Sequence, residues 1–335
     1  MAVHSGFPRR PRIFITQPVA QSAVARLRRV AAVRINPDSS RVISRRALIA
    51  AVRQCDILFC LLHDRIDGGV IAANPRLRLI AAQSITPSNI DVEAATARRI
   101  PITIVSPVTT EATADLAFAL ILAVARRIVE GDRLVRASRF PGAQSSYLLG
   151  SFVWSKTIGL VGGAGLIGKA VARRAHGFAM RILYWAPRRK PESEEREAGL
   201  NYVPIDQLLR ESDFVSIHSP LNNETRHQIG AGELKLMKKT AFLINTARGA
   251  IVDEAALIRA LTKREIAGAG LDVFEHEPKI DKALRKMPNV VLTPHLGSAT
   301  VEVREVMANI VVDNILAFLA GKPPLYCVNP QALAL

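Results

Sequence analysis

Short apolar runs alternate with amphipathic stretches along almost the whole chain. RIFIT, DILFC, LRLIA and ITIVS form a first series of strand-length runs; TIGLVG, MRILYW, FVSIHS, AFLIN, AGAGLDV and NVVLTP form a second. Helical patterns fill the gaps between them, which is the mark of parallel β-α-β units. Two such series predict an α/β protein with two doubly wound parallel sheets and a cleft between them. The boundary is expected at Thr109 to Glu111. There Thr110 is placed to cap the following helix and Glu111 to meet its dipole. That helix, Ala112 to Arg127, is apolar on nearly every face, so both sides need cover. A second subunit is the simplest cover. Another amphipathic helix is expected from near Ser298 to a C-terminal glycine at Gly321.

Composition changes this picture little. The 335 residues suffice for two cores, and ordinary Gly and Pro levels fit a globular chain. No early segment reads as a secretory signal. The most lipid-like run, Ala114 to Ala125, contains Asp115, is closed by Arg126 and Arg127, and is too short to span a bilayer. Cys55, Cys60 and Cys327 are odd in number and lack metal-ligand spacing, so a reducing cytoplasmic compartment and no metal site are expected. Charge is the unusual feature. The net charge is +16, and the first 56 residues hold eleven arginines against two aspartates. No nucleic-acid motif or aromatic platform accompanies them. A solvated basic face on helices such as Ala20 to Val30 is the preferred reading over nucleic-acid binding.

The chemistry concentrates near the C-terminal end. Arg248 in AFLINTARGAIVDE, Glu277 in GLDVFEHEP and His295 in VVLTPHLGSA each sit where a strand gives way to a loop, the usual place for chemistry in open α/β sheets. A guanidinium can clamp a carboxylate and polarise the neighbouring carbonyl. An imidazole can protonate a developing alkoxide, and a carboxylate can hold that imidazole in one tautomer. This is the set that reduction of a 2-oxo acid needs.

Upstream, TIGLVGGAGLIGKAVARRA orders a strand, a glycine turn and a helix. Gly163, Gly165 and Gly168 fit GxGxxG, with Gly163 expected at the tight turn, Gly165 beneath the pyrophosphate and Gly168 at the helix–strand contact. Gly162 and Ala164 leave the register open. The next strand ends at Ala186 with no acidic residue for a ribose hydroxyl. Arg188 and Arg189 follow, with Lys190 beyond. Two guanidiniums and no carboxylate favour NADP over NAD.

These blocks, with IDVEAATARRIP, TTEATADLAFALILAVARR, LLRESDFVSIHSPLNNETRH and ELKLMKKTAFLINTARG, resemble the D-isomer-specific 2-hydroxyacid dehydrogenases, most closely the glyoxylate/hydroxypyruvate reductase branch. The resemblance runs from about Ile13 to Asn329. It implies a discontinuous flavodoxin-like substrate domain, residues 1–109 and 299–335, a Rossmann cofactor domain, residues 110–298, and a homodimer built at the Ala112 helix. It makes Arg248, Glu277 and His295 the catalytic set, with Glu275 the lesser candidate. It places Asp272 on the nicotinamide amide, Thr246 and Ala247 on the nicotinamide side, Ser219 and Pro220 on the adenosine side, and Thr113, Leu166, Ile167, Thr225 and Gly297 around the cofactor. His218 is then a structural or cofactor-wall residue, and His276 is exposed.

The family grips its substrate carboxylate with amides of a glycine-containing loop before NID. Here that loop reads AAQSITPSNID. Pro87 removes a donor and holds Thr86 extended, and threonine resists the positive φ open to glycine. The amides of Ile85 and Thr86 remain the expected carboxylate ligands, with Arg248 and His295 completing the substrate set. The expected reaction is NADPH-dependent reduction of glyoxylate or hydroxypyruvate. A longer sugar acid such as 2-keto-gluconate is the alternative substrate, and a nucleotide-sensing binding protein or co-repressor the alternative class.

Overall fold

A computed structural model describes residues 9–333. They form two compact units: one holds the described residues up to Val108 and from Thr300 onward, the other Thr109–Ala299. Both are parallel α/β layers, as the two strand series require.

The first unit runs β1 (Arg12–Ile15), α1 (Gln21–Val30), β2 (Ala32–Ile35), α2 (Arg45–Val52), β3 (Ile57–Leu61), α3 (Gly68–Ala72), β4 (Leu79–Gln83), α4 (Val92–Ala97) and β5 (Ile102–Thr103). Its sheet is wholly parallel, in the order β2-β1-β3-β4-β5. The ITIVS run yields only a short β5, because the backbone then finds other partners. The Ile104 amide donates to the Tyr326 carbonyl at 3.2 Å and the Val105 amide to Ser84 at 3.0 Å. In α1, Ala23, Val24 and Leu27 face the core while Arg28 and Arg29 occupy the last turn, where cations meet the helix dipole favourably.

The second unit runs α5 (Thr110–Ala125), α6 (Ile128–Arg136), β6 (Thr157–Val161), α7 (Leu166–Gly177), β7 (Arg181–Trp185), α8 (Glu192–Ala198), β8 (Asn201–Tyr202), α9 (Ile205–Glu211), β9 (Phe214–Ile217), α10 (Ala231–Leu236), β10 (Phe242–Asn245), α11 (Glu254–Thr262), β11 (Gly268–Leu271) and β12 (Val290–Leu292). Its parallel strands lie in the order β12-β11-β10-β9-β6-β7-β8. From β6 the chain builds outward through β7 and β8, then returns to lay β9 on the other flank of β6. That reversal opens a crevice at the carboxyl ends of β6 and β9, where ligands bind in sheets of this kind.

Two expectations about α5 change. Thr110 is the first helical residue, and Thr109 at the cap position has helical dihedrals and makes no side-chain cap bond. The apolar faces of α5 are covered within its own unit: Ala114, Ala117, Phe118, Leu120, Ile121 and Val124 are buried against residues of β6, α7, β7, β9 and β10. A two-sided apolar helix is what a position between a sheet and another helix demands. The last helix, α12 (Val301–Leu319), starts later than Ser298. Thr300 caps it by accepting from the Val303 amide, and Gly321 follows it at a φ of +70°. It belongs to the first unit, where Met307, Val311, Val312 and Ile315 bury against Ile13, Ile15, Leu27 and Leu79.

Candidate active site

Three loops at the carboxyl ends of β10, β11 and β12 hold Arg248, Glu277 and His295. Glu277 Oε2 lies 2.9 Å from His295 Nδ1, and its Oε1 accepts from the Phe274 amide at 2.9 Å. The carboxylate is thus fixed on one side by backbone and on the other orients the imidazole. Glu275 is engaged elsewhere. It lies 2.7 Å from His227 Nε2, and its amide donates to Glu254. Arg248 is partly buried, and burial lowers its guanidinium's pKa while nearby Glu277 opposes that shift. Its Nη1 donates to the Ala247 carbonyl at 2.7 Å. The residue after it must be glycine: a Cβ at Gly249 would collide with the Phe274 carbonyl group. This close approach sets the Arg248 turn against the segment that leads to Glu277.

His295 takes a left-handed backbone, φ +56°. A non-glycine residue there is uncommon and stores strain that the surroundings must hold. Asp272 supplies the hold. Its carbonyl accepts from the His295 amide, Oδ1 accepts from Thr293 Oγ1 and the Leu296 amide, and Oδ2 accepts from the Gly297 amide. Asp272 is fully buried, and burial pushes its carboxyl above the usual range while these hydrogen bonds pull it down. Expected to face a nicotinamide, Asp272 spends both oxygens on the histidine turn. Gly297 belongs to that turn as well, and Thr113 Oγ1 contacts its carbonyl at 3.0 Å, tying α5 to the same loop.

The glycine turn resolves its register differently from the expectation. Gly162, not Gly163, takes the left-handed conformation, φ +78°, and a Cβ there would fall 2.6 Å from the Ser219 amide. Gly165 is the N-cap of α7, and Gly168 is buried in its first turn. Leu166 is exposed and Ile167 half-buried at the start of the helix. The N-terminus of α7 thus follows directly on the turn after β6, and the free amides of such a helix start suit an anion.

A dinucleotide fits this edge. Ser219 Oγ and Thr246 Oγ1 are buried hydroxyls with no hydrogen-bond partner among the described residues, and they follow β9 and β10. Such groups need a partner, and with the bare backbone at Gly162 they offer one to a polar ligand laid across the strand ends. Ala247 is half-buried beside Thr246, and Pro220 is exposed beside Ser219. Thr225 does not contribute a hydroxyl: its Oγ1 donates to the Pro220 carbonyl at 2.6 Å and accepts from the Asn222 amide, inside its own turn. His218 is half-buried beside Ser216 Oγ, and desolvation of the ring depresses its imidazole to about 4, so it is neutral near pH 7.

Two further placements bear on recognition. Arg188 is exposed, whereas Arg189, expected beside it as a second phosphate ligand, is bound to Glu195 through two 2.9 Å hydrogen bonds. In the first unit, Ile85 and Thr86 are half-buried. Ser84 Oγ donates to the Thr86 carbonyl at 2.7 Å, and Thr86 keeps an ordinary φ, as Pro87 dictates. Gly249 is an organising residue that motif reading passed over; Asp272 was read only as a cofactor contact, and Gly162 only as an ambiguity of register.

Residues 118–297 match the model of the D-isomer specific 2-hydroxyacid dehydrogenase NAD binding domain. Over 328 residues the chain is 47% identical to a glyoxylate reductase of Thermococcus litoralis, covering 97% of this chain and 98% of that protein. A glyoxylate reductase of Aeropyrum pernix is 45% identical over 330 residues, covering 97% and 98%. Among solved structures, a protein of Thermus thermophilus superposes with a TM-score of 0.87 at 40% identity, covering 95% of this chain and 99% of that one. An NADPH-dependent glyoxylate/hydroxypyruvate reductase of Sinorhizobium meliloti, solved with NADP and malonate, gives a TM-score of 0.79 at 31% identity, covering 97% and 98%.

Proposed function

The chain belongs to the D-isomer-specific 2-hydroxyacid dehydrogenases, and we propose that within this family it is an NADPH-preferring reductase of glyoxylate and hydroxypyruvate. That it is an NAD(P)-dependent oxidoreductase reducing a 2-oxo acid follows from its relatives. The finer reading rests above all on the 2.9 Å contact of Glu277 with His295 Nδ1. With Nδ1 held by the carboxylate, Nε2 is the atom that gives its proton to the carbonyl oxygen of the substrate. Arg248 binds the substrate carboxylate and polarises the carbonyl; its partial desolvation strengthens that pairing. A nicotinamide bound at this edge would supply hydride to the carbonyl carbon. Ser219, Thr246 and the Gly162 turn would hold that cofactor. In the reverse direction neutral His295 is the base.

The missing acid after β7 and the adjacent basic loop support NADPH. The named ligand of the Sinorhizobium relative agrees with this reading. A homodimer is proposed as well. Its surface is assigned not to α5 but to the segment after it, where Ile128, Val135, Phe140, Leu149, Phe152 and Trp154 are all exposed. An apolar display of that extent calls for cover. Three free thiols, two of them buried, are in keeping with a reducing cytoplasm.

Initial rates for glyoxylate, hydroxypyruvate, pyruvate and 2-keto-gluconate, each with NADPH and with NADH, test this directly. Fastest turnover of the two small polar acids with NADPH is the expected result. A preference for 2-keto-gluconate overturns the substrate. Tight NADPH binding without turnover on any acid turns the reading to a nucleotide sensor. His295→Ala should lose roughly 10²–10⁴-fold in rate while still binding NADPH. Near-normal turnover would remove His295 from its role.

A further inference from the structure

The loop that follows β7 borders the glycine turn, since the Gly162 amide donates to the Trp185 carbonyl at 2.8 Å. It carries three consecutive cations, Arg188, Arg189 and Lys190. They are not equivalent. Two consecutive glutamates on α8 answer them. Glu194 takes Lys169 at 2.9 Å and Lys190 at 3.7 Å. Glu195, buried, receives Arg189 in a bidentate pair and also accepts from the Tyr184 hydroxyl at 2.7 Å. That hydroxyl in turn accepts from the Lys190 amide at 2.9 Å. The Arg189 guanidinium lies over the Tyr202 ring, 5.6 Å from its centroid.

Each of these contacts fixes something. Tyr184 is on β7 and Tyr202 on β8, so the network pins the backbone at Arg189 and Lys190 to the sheet. A bidentate carboxylate uses one whole edge of the guanidinium fork, and the ring takes one face. Arg188 has no ion pair among the described residues and is exposed.

We infer that Arg188 alone reads the 2′-phosphate of the cofactor, and that Arg189, Glu195 and Tyr184 form the frame that holds the loop for it. The inference rests on the NADPH preference proposed above. It assigns opposite roles to neighbouring arginines that a motif scan treats as a pair. Arg188 is the specificity residue; Arg189 and Glu195 are positioning residues, acting through the shape of the loop.

The two roles predict different signs for one substitution. If Arg189 were a phosphate ligand, Glu195→Gln would release it from its counter-charge and tighten NADPH. As part of a frame it is lost with its anchor, and Glu195→Gln weakens NADPH. Dissociation constants for NADPH and NADH, measured by nicotinamide fluorescence on the full chain, decide between them. Arg188→Ala should loosen NADPH roughly 10- to 100-fold, the range for a lost charge-assisted hydrogen bond, and NADH far less. Glu195→Gln and Arg189→Ala should loosen NADPH to similar extents, with little further loss in the double variant. Arg189→Lys keeps the charge but not the fork, so it should behave as Arg189→Ala does.

Tighter NADPH in Glu195→Gln, or a larger loss in Arg189→Ala than in Arg188→Ala, overturns the assignment. If the wild-type protein holds NADH as firmly as NADPH, the preference itself falls. The frame is then judged on NADH: matching losses in Arg189→Ala and Glu195→Gln retain it, and unmatched losses dismiss it. Thermal melts of each variant separate loop effects from global unfolding.

Discussion

The two sheets share a winding rule yet treat their switch points in opposite ways. In the first unit the reversal lies between β1 and β3. There Thr16 Oγ1 donates to Asp64 Oδ2, the Leu61 amide caps the same oxygen, and the Asn89 amide nitrogen donates to the Leu61 and Asp64 carbonyls. Asn36 adds a bond to the Thr16 carbonyl. Side chains occupy this crevice, with Asp64 Oδ1 and Asn89 Oδ1 left without a hydrogen-bond partner among the described residues. In the second unit, between β6 and β9, the corresponding crevice is lined by the bare turn at Gly162 and by a buried serine hydroxyl that lacks a partner among the described residues. Winding opens a crevice in both; turn chemistry decides which one stays receptive. Fold therefore locates the opportunity for a cofactor, and a handful of loop residues determine its use.

Filling the open crevice should have the largest effect on the cofactor. Gly162→Ala forces a Cβ toward the Ser219 amide at a positive φ. A residue strained in this way costs about 1–3 kcal/mol, and NADPH affinity should fall by roughly ten-fold or more. Titration of NADPH checks this, and an unchanged Kd would show that the bare turn is dispensable.

A second test uses the half-buried histidine on the open edge. His218 has its pKa depressed to about 4 by burial, against an ordinary value of 6.5. The unfolded chain therefore binds a proton that the folded one refuses. The resulting stability is fully present above pH 6.5 and drains away as the pH falls toward 4, by up to about 3 kcal/mol. Urea unfolding across that window should steepen for the wild type and flatten for His218→Asn. Equal slopes would mean that the ring finds compensation when charged.

The smallest effect on the cofactor belongs to the closed crevice. Thr16→Val removes the hydroxyl from the buried Asp64 carboxyl, at a cost of about 1–3 kcal/mol. NADPH affinity should stay as it was. A loss of cofactor binding in this variant would contradict the division of labour between the two switch points.

Local pattern carried much of this. Strand runs, their parallel pairing and the partnership of Glu277 with His295 were legible because each depends on residue type at a strand end. Even the choice against Glu275 was sound in geometry. What escaped reading was non-local. Gly162 occupies the left-handed turn, with Ser219 from the loop after β9 packed close against it. Arg189 was claimed by Glu195 on the following helix, and Asp272 by a turn some twenty residues onward. Thr110 failed as a cap because Thr109 was already helical. Distances in space, not spacing along the chain, settle such matters.

The late position of α12 has a consequence for biosynthesis. Residues Thr109–Ala299 leave the ribosome as a continuous run that includes every strand of the seven-stranded sheet. The five-stranded sheet, made earlier, lacks Met307, Val311 and Ile315 until α12 has been made. Nascent first-unit strands thus wait with an apolar face uncovered while the later-born domain can already close, so the order of synthesis and the order of completion are reversed. During that interval the waiting face is the part of the chain most in need of a chaperone's shelter.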